Sequence, residues 1–206
     1  MMQIIKKHER AGGVHLSSRI KSYALYHGTP QSRVRSIMGK GLQISTSDTH
    51  WMGKGVYFYD NELQAREFVM KVARILGKGK RLVPAVIRAH VLVKHKNLLN
   101  LVNNKTHQQR FRDFVIEQEP TYNNSVVIRG LDMSIEKNRD RCVFRQKCAL
   151  FDYFCSIYDI HLVISEHRPH PGSMANMILD SIKLNNRAEV QYCVKTVDVI
   201  KKIELI

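Results

Sequence analysis

The sequence lacks any apolar run long enough to cross a bilayer, and its amino terminus lacks the long apolar core of a signal peptide. Residues 1–8 combine two isoleucines with two lysines and a histidine. We therefore expect a cytoplasmic protein without a membrane partner. With 206 residues the chain is long enough to bury one core, so we predict a single domain over residues 1–206.

Cysteine is scarce, with four in the chain and no Cys-x-x-Cys pair. A zinc or redox function is therefore not expected, and we predict buried small apolar side chains for Cys142, Cys148, Cys155 and Cys193. His167 and His170 lie close in sequence but lack an obvious third ligand, which favours a surface loop without a metal. A glycine-rich phosphate-binding motif of the Rossmann or P-loop type is also missing.

Acidic residues are few relative to basic ones. Lysine and arginine number 33 against 18 for aspartate and glutamate, which gives a formal net charge of +15. An excess of this size favours a polyanionic partner, because each phosphate contact gains from counterion release. The basic residues are dispersed along the chain, so the sequence predicts a nucleic-acid partner without defining the surface that binds it. A basic surface that serves solubility alone is the alternative.

Apolar periodicity predicts strands near both ends of the chain and helices between them, which indicates an α+β fold. Residues 1–22 read as an N-terminal arm and residues 95–185 as a variable helical region. The predicted helices are 31–39, 61–76, 106–118 and 134–158, with a turn at 120–124, and the predicted strands are 23–26, 56–59, 82–93, 160–165, 188–194 and 199–205. Asp60 or Asn61 is expected to cap the second helix.

Two short motifs carry the functional prediction. Tyr26-His27-Gly28-Thr29 ends the first predicted strand, and Gly53-Lys54-Gly55-Val56-Tyr57-Phe58 follows it after a short helix. Together they resemble the ADP-ribosyltransferase superfamily, specifically the His-Tyr-Glu branch that includes the catalytic domains of diphtheria toxin and of poly(ADP-ribose) polymerases. The resemblance implies a split antiparallel β-sheet core with flanking and inserted helices, and NAD as the co-substrate. It covers the motifs and their order, and no part of residues 95–185.

The resemblance assigns NAD binding to His27, Gly28, Thr29, Tyr57 and Phe68. His27 is similar to the family histidine that hydrogen-bonds a ribose hydroxyl of the adenosine, and a glycine at position 28 lets the main chain approach the nicotinamide carboxamide. Tyr57 resembles the tyrosine whose ring stacks on nicotinamide, and Phe68 resembles a second aromatic residue that sandwiches it. Ala65 stands where several relatives carry a serine that binds the carboxamide, so that contact is not expected.

The remaining catalytic group is expected on the strands that end the chain. Glu189, which begins the last strand but one, resembles the family's catalytic glutamate and completes a catalytic set with His27 and Tyr57. Its carboxylate would stabilise the oxocarbenium-like sugar and orient or deprotonate the acceptor. Gln191 lies on the same strand face, because side chains alternate along a strand. Gln191 either assists acceptor recognition or is a polar residue without a functional role.

These assignments predict a mono-ADP-ribosyltransferase with a nucleic-acid acceptor, single-stranded RNA being favoured over DNA. Small enzymes of this kind resemble toxins of bacterial or phage conflict, which implies antiviral defence or a toxin–antitoxin pair with an antitoxin protein as partner. The alternatives are a protein acceptor, an RNA 2′-phosphotransferase, which needs no catalytic glutamate, and an inactive module that binds nucleic acid. Tyr122 and Tyr153 are candidates for base stacking, although burial in the core is favoured for Tyr153.

Overall fold

The computed structural model describes residues 19–45, 50–75, 83–123, 136–167 and 189–206. The strands in these ranges are β1 (Ile20–Pro30), β2 (Val56–Tyr59), β3 (Pro84–Lys94), β4 (Leu98–Asn100), β5 (Leu162–His167), β6 (Glu189–Val194) and β7 (Ile200–Leu205). The helices are α1 (Gln31–Lys40), α2 (Glu62–Ile75), α3 (Lys105–Asn123) and α4 (Glu136–Ile157). Short 3-10 turns at His95–Asn97 and Val197–Val199 precede β4 and β7.

The seven strands join into one sheet in the order β4-β5-β6-β2-β1-β3-β7. β4 and β5 run parallel, and the other neighbours run antiparallel. This mixture of helices with a mostly antiparallel sheet confirms the predicted α+β class. β2 and β6, which carry Tyr57 and Glu189, are neighbours near the middle of the sheet, and β1 with His27 adjoins β2 on the other side.

The sheet is divided at the junction between β1 and β2. All eleven residues of β1 pair with β3, and all four residues of β2 pair with β6. Between β1 and β2, by contrast, the ladder consists of the single pair Tyr26–Tyr59. The blocks β4-β5-β6-β2 and β1-β3-β7 are therefore joined at one point, which leaves an opening between them on the Gly28 side of that pair.

Side-chain alternation sorts the strand residues onto two apolar faces. One face carries the core cluster that includes Leu25, Phe58 and Val91, all fully or almost fully buried. The other face is covered by helices, with Ala65 of α2 packed against Tyr59 and Phe154 of α4 in a separate aromatic cluster. The two faces thus offer different surroundings to neighbouring residues of the same strand.

Helix α2 follows its local sequence closely. The predicted cap is Asn61, whose Oδ1 accepts a hydrogen bond of 2.7 Å from the Leu63 amide and so satisfies one of the unpaired N–H groups of the first turn. Ala65 and Val69, one turn apart, are buried against the sheet. Phe68, on the same predicted apolar stripe, lies at its margin and is 45% exposed.

Several predictions differ from the structure. β1 begins at Ile20, inside the predicted arm, because pairing with the end of β3 continues the ladder to that residue. The turn predicted at 120–124 is helical as far as Asn123. Pro120 thus lies inside α3, although a proline there removes one main-chain hydrogen bond of the helix. The region 95–185 contains β4 and β5 as well as α3 and α4.

The predicted environments of individual side chains can also be compared. Burial is confirmed for Cys148, Cys155 and Cys193, whereas the side chains of Cys142 and Tyr122 lie outside the described residues. Tyr153 was expected in the core but is 44% exposed, because it flanks Phe114 at the rim of the contact between α3 and α4. His167 ends β5 and does not lie in a loop. None of the helices in the described ranges is long and apolar enough to span a bilayer.

Candidate active site

The main chain of Gly28 faces the opening between β1 and β2. On the far side of β3 the Val86 carbonyl accepts a hydrogen bond of 3.1 Å from the Ile206 amide, so Val86 directs its main-chain groups toward β7. In an antiparallel ladder, two register partners direct their main-chain N–H and C=O groups either both toward each other or both away from each other. Val86 is the register partner of Gly28, and its groups point away from β1. The amide and carbonyl of Gly28 therefore point away from β3, toward β2, just past the last ladder pair.

His27 spans the same opening with its side chain. Its Nδ1 lies 2.8 Å from the Tyr57 carbonyl oxygen, and because a carbonyl can only accept, Nδ1 carries the proton and Nε2 of the neutral ring is an acceptor. The ring also packs edge-on against Phe58, with ring centroids 5.7 Å apart. Desolvation lowers the pKa of His27, while the hydrogen bond to Tyr57 acts in the opposite direction. The imidazole thus takes the place of a ladder hydrogen bond where the strands separate.

The glycine at position 28 is required by helix packing. A Cβ added there would lie 1.9 Å from the Ala65 carbonyl oxygen and 2.8 Å from Val69 Cγ2. Helix α2 therefore sits directly against β1 at this point, and it forms the floor of the opening. The next residue, Thr29, is almost completely buried. The sequence suggested that the glycine is needed for close approach to a bound ligand. In the structure the need for glycine arises from the close contact with α2.

Tyr57 is held by its hydroxyl group. The hydroxyl donates to the Gly53 carbonyl at 2.8 Å and accepts from the Met52 amide at 2.9 Å. Burial is the main cause that raises the pKa of Tyr57 well above its ordinary value, so the group stays a phenol. The ring stacks on His50, with centroids 4.9 Å apart and an interplanar angle of 30°. Nicotinamide could stack on Tyr57 only on the other ring face or by displacing His50.

The loop that binds the Tyr57 hydroxyl is itself anchored to α4. Gly53 has φ of +79°, and a Cβ there would lie 2.2 Å from Asp152 Oδ1, so this position requires glycine. The Lys54 amide donates to both carboxylate oxygens of Asp152. Lys195, just after β6, donates from Nζ to the Met52 and Lys54 carbonyls and to Asp152. Residues 52–54 are thereby fixed to β6 and α4.

Gln191 is the centre of a polar network next to Glu189. Its side chain is 8% exposed; its Oε1 accepts from Trp51 Nε1 at 2.8 Å, and its Nε2 donates to the Tyr59 hydroxyl at 3.2 Å. The same Nε2 lies 3.5 Å from Glu189 Oε2. Burial, and then the Glu189 charge, raise the pKa of Tyr59. An acceptor could take a hydrogen bond from the Gln191 Nε2 only by replacing the Tyr59 hydroxyl or the Glu189 carboxylate.

The structure places only some of the predicted site residues on the same face of the sheet. Tyr57, Glu189 and Gln191 share the sheet face that also carries Tyr59, whereas the His27 side chain lies on the opposite face with Phe58. Phe68 lies against Tyr59, with ring centroids 6.1 Å apart, while the Tyr57 ring stacks on His50. The sandwich of a ligand between Tyr57 and Phe68 stays a prediction.

Sequence reasoning missed two neighbours of this site, His50 and Trp51. Trp51 is the single tryptophan of the chain, and Lys147 of α4 lies over its ring at 4.9 Å from the centroid. A lone tryptophan two residues before Gly53 was the available signal, because the ring N–H of a buried tryptophan usually has a hydrogen-bond partner. Nothing in the sequence pointed to His50.

The chain is similar to an uncharacterized protein of Methanocaldococcus jannaschii, with 27% identity over 188 residues. The similarity covers 87% of this chain and 85% of the archaeal protein. No family model matches the sequence, and no solved structure matches it. The comparisons therefore identify a similar protein of similar length, and they assign no activity to it or to this chain.

The described residues provide a defined chemical set. Main-chain polar groups of Gly28 and an imidazole line the opening, an aromatic ring lies beside it, and a carboxylate begins β6. Three or more His, Cys, Asp or Glu side chains grouped as metal ligands do not occur among the residues that the structure describes. A set of this kind suits the binding of a heteroaromatic amide and the stabilisation of a cationic sugar.

Proposed function

We propose that this protein is a mono-ADP-ribosyltransferase that uses NAD as its co-substrate and a nucleic acid, single-stranded RNA above all, as its acceptor. The observation that carries the proposal is the one-pair junction between β1 and β2. It leaves the Gly28 main chain facing an opening bounded by His27, Tyr57 and α2, and a split sheet with this motif order is what the resemblance implies. The α+β fold is consistent with the proposal.

In the proposed reaction the bond between the nicotinamide nitrogen and the ribose anomeric carbon breaks, and its electron pair leaves with nicotinamide. The ribose becomes cationic, and the Glu189 carboxylate stabilises that charge. A nucleophilic atom of the acceptor then bonds to the anomeric carbon and passes its proton to Glu189. Gly28 holds the nicotinamide carboxamide through main-chain hydrogen bonds, and Nε2 of His27 accepts from a ribose hydroxyl of the adenosine.

The experiment is incubation of the protein with NAD labelled in the adenylate phosphate and a cell lysate, followed by separate digestion of the product with nuclease and protease. Label that nuclease releases and protease does not would support the proposed acceptor. Label released by protease alone would replace it with a protein acceptor. Failure to release nicotinamide with any acceptor would reject ADP-ribosyl transfer itself.

Glu189→Gln tests the carboxylate, and Glu117→Gln, an exposed position on α3, is the matched control. We expect Glu189→Gln to lower transfer by orders of magnitude with NAD affinity nearly retained, because the charge acts on the developing cation more than on bound NAD. The control should retain full activity. Equal transfer by both variants would remove Glu189 from the mechanism and would favour a 2′-phosphotransferase, which an RNA substrate with an internal 2′-phosphate would then reveal.

A further inference from the structure

The fold gathers basic side chains that are far apart in sequence at the opposite end of β1 from the opening. Lys21 lies near the start of β1, His95 follows the end of β3, and His107 and Arg110 lie on the first turns of α3. Residues 20–21 pair with 93–94 in the β1–β3 ladder, and the His95 amide donates to the Arg19 carbonyl at 2.9 Å. We call Lys21, His95, His107 and Arg110 the basic cluster.

His107 is held as a neutral donor. Its Nδ1 accepts a hydrogen bond of 2.9 Å from the Asn100 amide, so in the neutral ring the proton is on Nε2 and that atom is the donor. The His95 ring is its neighbour, with centroids 6.3 Å apart. Burial lowers the pKa of His107 first, and His95, Arg110 and Lys21 lower it further. These three neighbours of His107 are all basic residues.

Arg110 is oriented by an aromatic ring. Its guanidinium carbon lies 3.9 Å from the centroid of Tyr158 and 5.9 Å from that of Phe154. A guanidinium that stacks on a ring face keeps its edge N–H groups directed outward, where they can bind two oxygens of one phosphate. Arg110 is exposed, so this edge is accessible from solvent.

We propose that the basic cluster binds the phosphodiester backbone of a single-stranded nucleic acid, and so positions the acceptor strand for the site at Gly28. The Arg110 fork, the Nε2–H of His107 and the Lys21 ammonium supply donors and positive charge. Seven residues of extended strand separate Lys21 from Gly28, which is about 23 Å at ~3.3 Å per residue. One strand can therefore contact the cluster while an unpaired nucleotide a few positions away enters the opening. The inference rests on the proposed nucleic-acid acceptor.

The test compares two double variants that lower the net charge equally. Lys21→Gln with Arg110→Gln removes two members of the cluster, and Lys40→Gln with Lys71→Gln removes two exposed lysines on α1 and α2. Binding of a fluorescently labelled single-stranded RNA is measured by anisotropy over a series of salt concentrations. We expect the cluster variant to reduce the log–log salt slope by about 1.4 and to weaken binding about 25-fold at 0.1 M salt, since each phosphate contact contributes ~0.7 to the slope.

The control variant should change the slope by less than half as much. Equal losses in the two variants would overturn the proposal, because diffuse charge would then explain binding, and so would a wild-type protein that fails to bind the RNA. In the wild type, addition of the RNA should shift the NMR signals of the His107 ring, and unchanged signals would also count against the site.

Nicotinamide release from NAD separates this inference from the proposed function. The cluster variant should release nicotinamide in water at the wild-type rate, since the cluster lies far from the opening, while its transfer to RNA falls. A wild-type protein that binds RNA at the cluster but never releases nicotinamide would refute the enzyme and leave the binding site standing. A cluster variant that transfers to RNA as well as the control does would refute the binding site alone.

Discussion

Replacement of Tyr57 by phenylalanine should destabilise the protein although the ring is retained. The change removes one oxygen that donates to the Gly53 carbonyl at 2.8 Å and accepts from the Met52 amide at 2.9 Å. Met52 is completely buried, so water cannot readily replace the lost acceptor. A buried polar group without a partner costs about 1–3 kcal/mol. With two groups affected, we expect the free energy of unfolding to fall by about 2–6 kcal/mol.

Equilibrium unfolding in urea measures this loss, with Tyr192→Phe as the matched control. The Tyr192 hydroxyl donates to Asp60 in an exposed contact of 3.4 Å, so its removal should cost less than ~0.5 kcal/mol. In a domain of this size the loss at Tyr57 corresponds to a Tm lowered by about 4–24 °C. A Tyr57→Phe protein that unfolds like the control would show that the hydroxyl does not hold the loop.

The same variant separates the two roles of Tyr57. If the ring face binds nicotinamide, the folded Tyr57→Phe protein should bind NAD nearly as well as the wild type, measured by calorimetry at low temperature. Tyr57→Ala should weaken NAD binding by roughly 1–3 kcal/mol, because stacking and apolar burial are both lost. Equal damage to NAD binding in both variants would assign the role to the hydroxyl and refute the stacking interpretation.

Other positions give further tests. Gly28→Ala should destabilise the fold by about 3 kcal/mol or more in thermal unfolding, since its Cβ would lie 1.9 Å from a carbonyl oxygen of α2; Gly39→Ala, with open space around its Cβ, should be neutral or stabilising. The pKa of His27 is lowered in the folded state, so the unfolded chain takes up the extra proton first as pH falls. The free energy of unfolding should therefore decrease below pH ~6.5. His27→Asn should reduce this pH dependence, measured by urea unfolding at several pH values. Gln191→Leu removes the acceptor of the single tryptophan, Trp51, and should shift the tryptophan emission to longer wavelength, whereas an unchanged spectrum would mean that the hydrogen bond does not hold the ring.

Local chemistry made most of the elements predictable. The helix predicted at 61–76 is Glu62–Ile75, and the strand predicted at 82–93 is Pro84–Lys94. A cap residue, a stripe of apolar residues at helical spacing and a run of β-branched residues act over a few positions, and each can be read from the sequence. The strand predicted at 188–194 is present as β6, described from Glu189 to Val194.

The arrangement around the opening depends on contacts that no local pattern encodes. The ladder between β1 and β2 stops after Tyr26–Tyr59, and beyond that pair the His27 imidazole binds the Tyr57 carbonyl. These two residues lie thirty positions apart in the chain. The stacking of His50 on Tyr57 similarly depends on how one loop is anchored by Asp152 and Lys195, which are remote in sequence. Tertiary contacts of this kind determine the geometry of the site, whereas the residue types show only which residues are candidates.

The alternation along β1 places a constraint on any NAD molecule that uses both His27 and Gly28. The His27 ring lies on the face of Leu25 and Phe58, whereas the face of Tyr57 and Glu189 lies on the other side of the sheet. Consecutive residues of one strand can contact one ligand only where the sheet is interrupted, and the junction after Tyr26–Tyr59 is such an interruption. We therefore expect the adenosine ribose on the His27 side and the nicotinamide toward Tyr57, with the dinucleotide passing through the opening. Without the one-pair junction, His27 and Glu189 would be separated by a closed sheet and could not act on the same molecule.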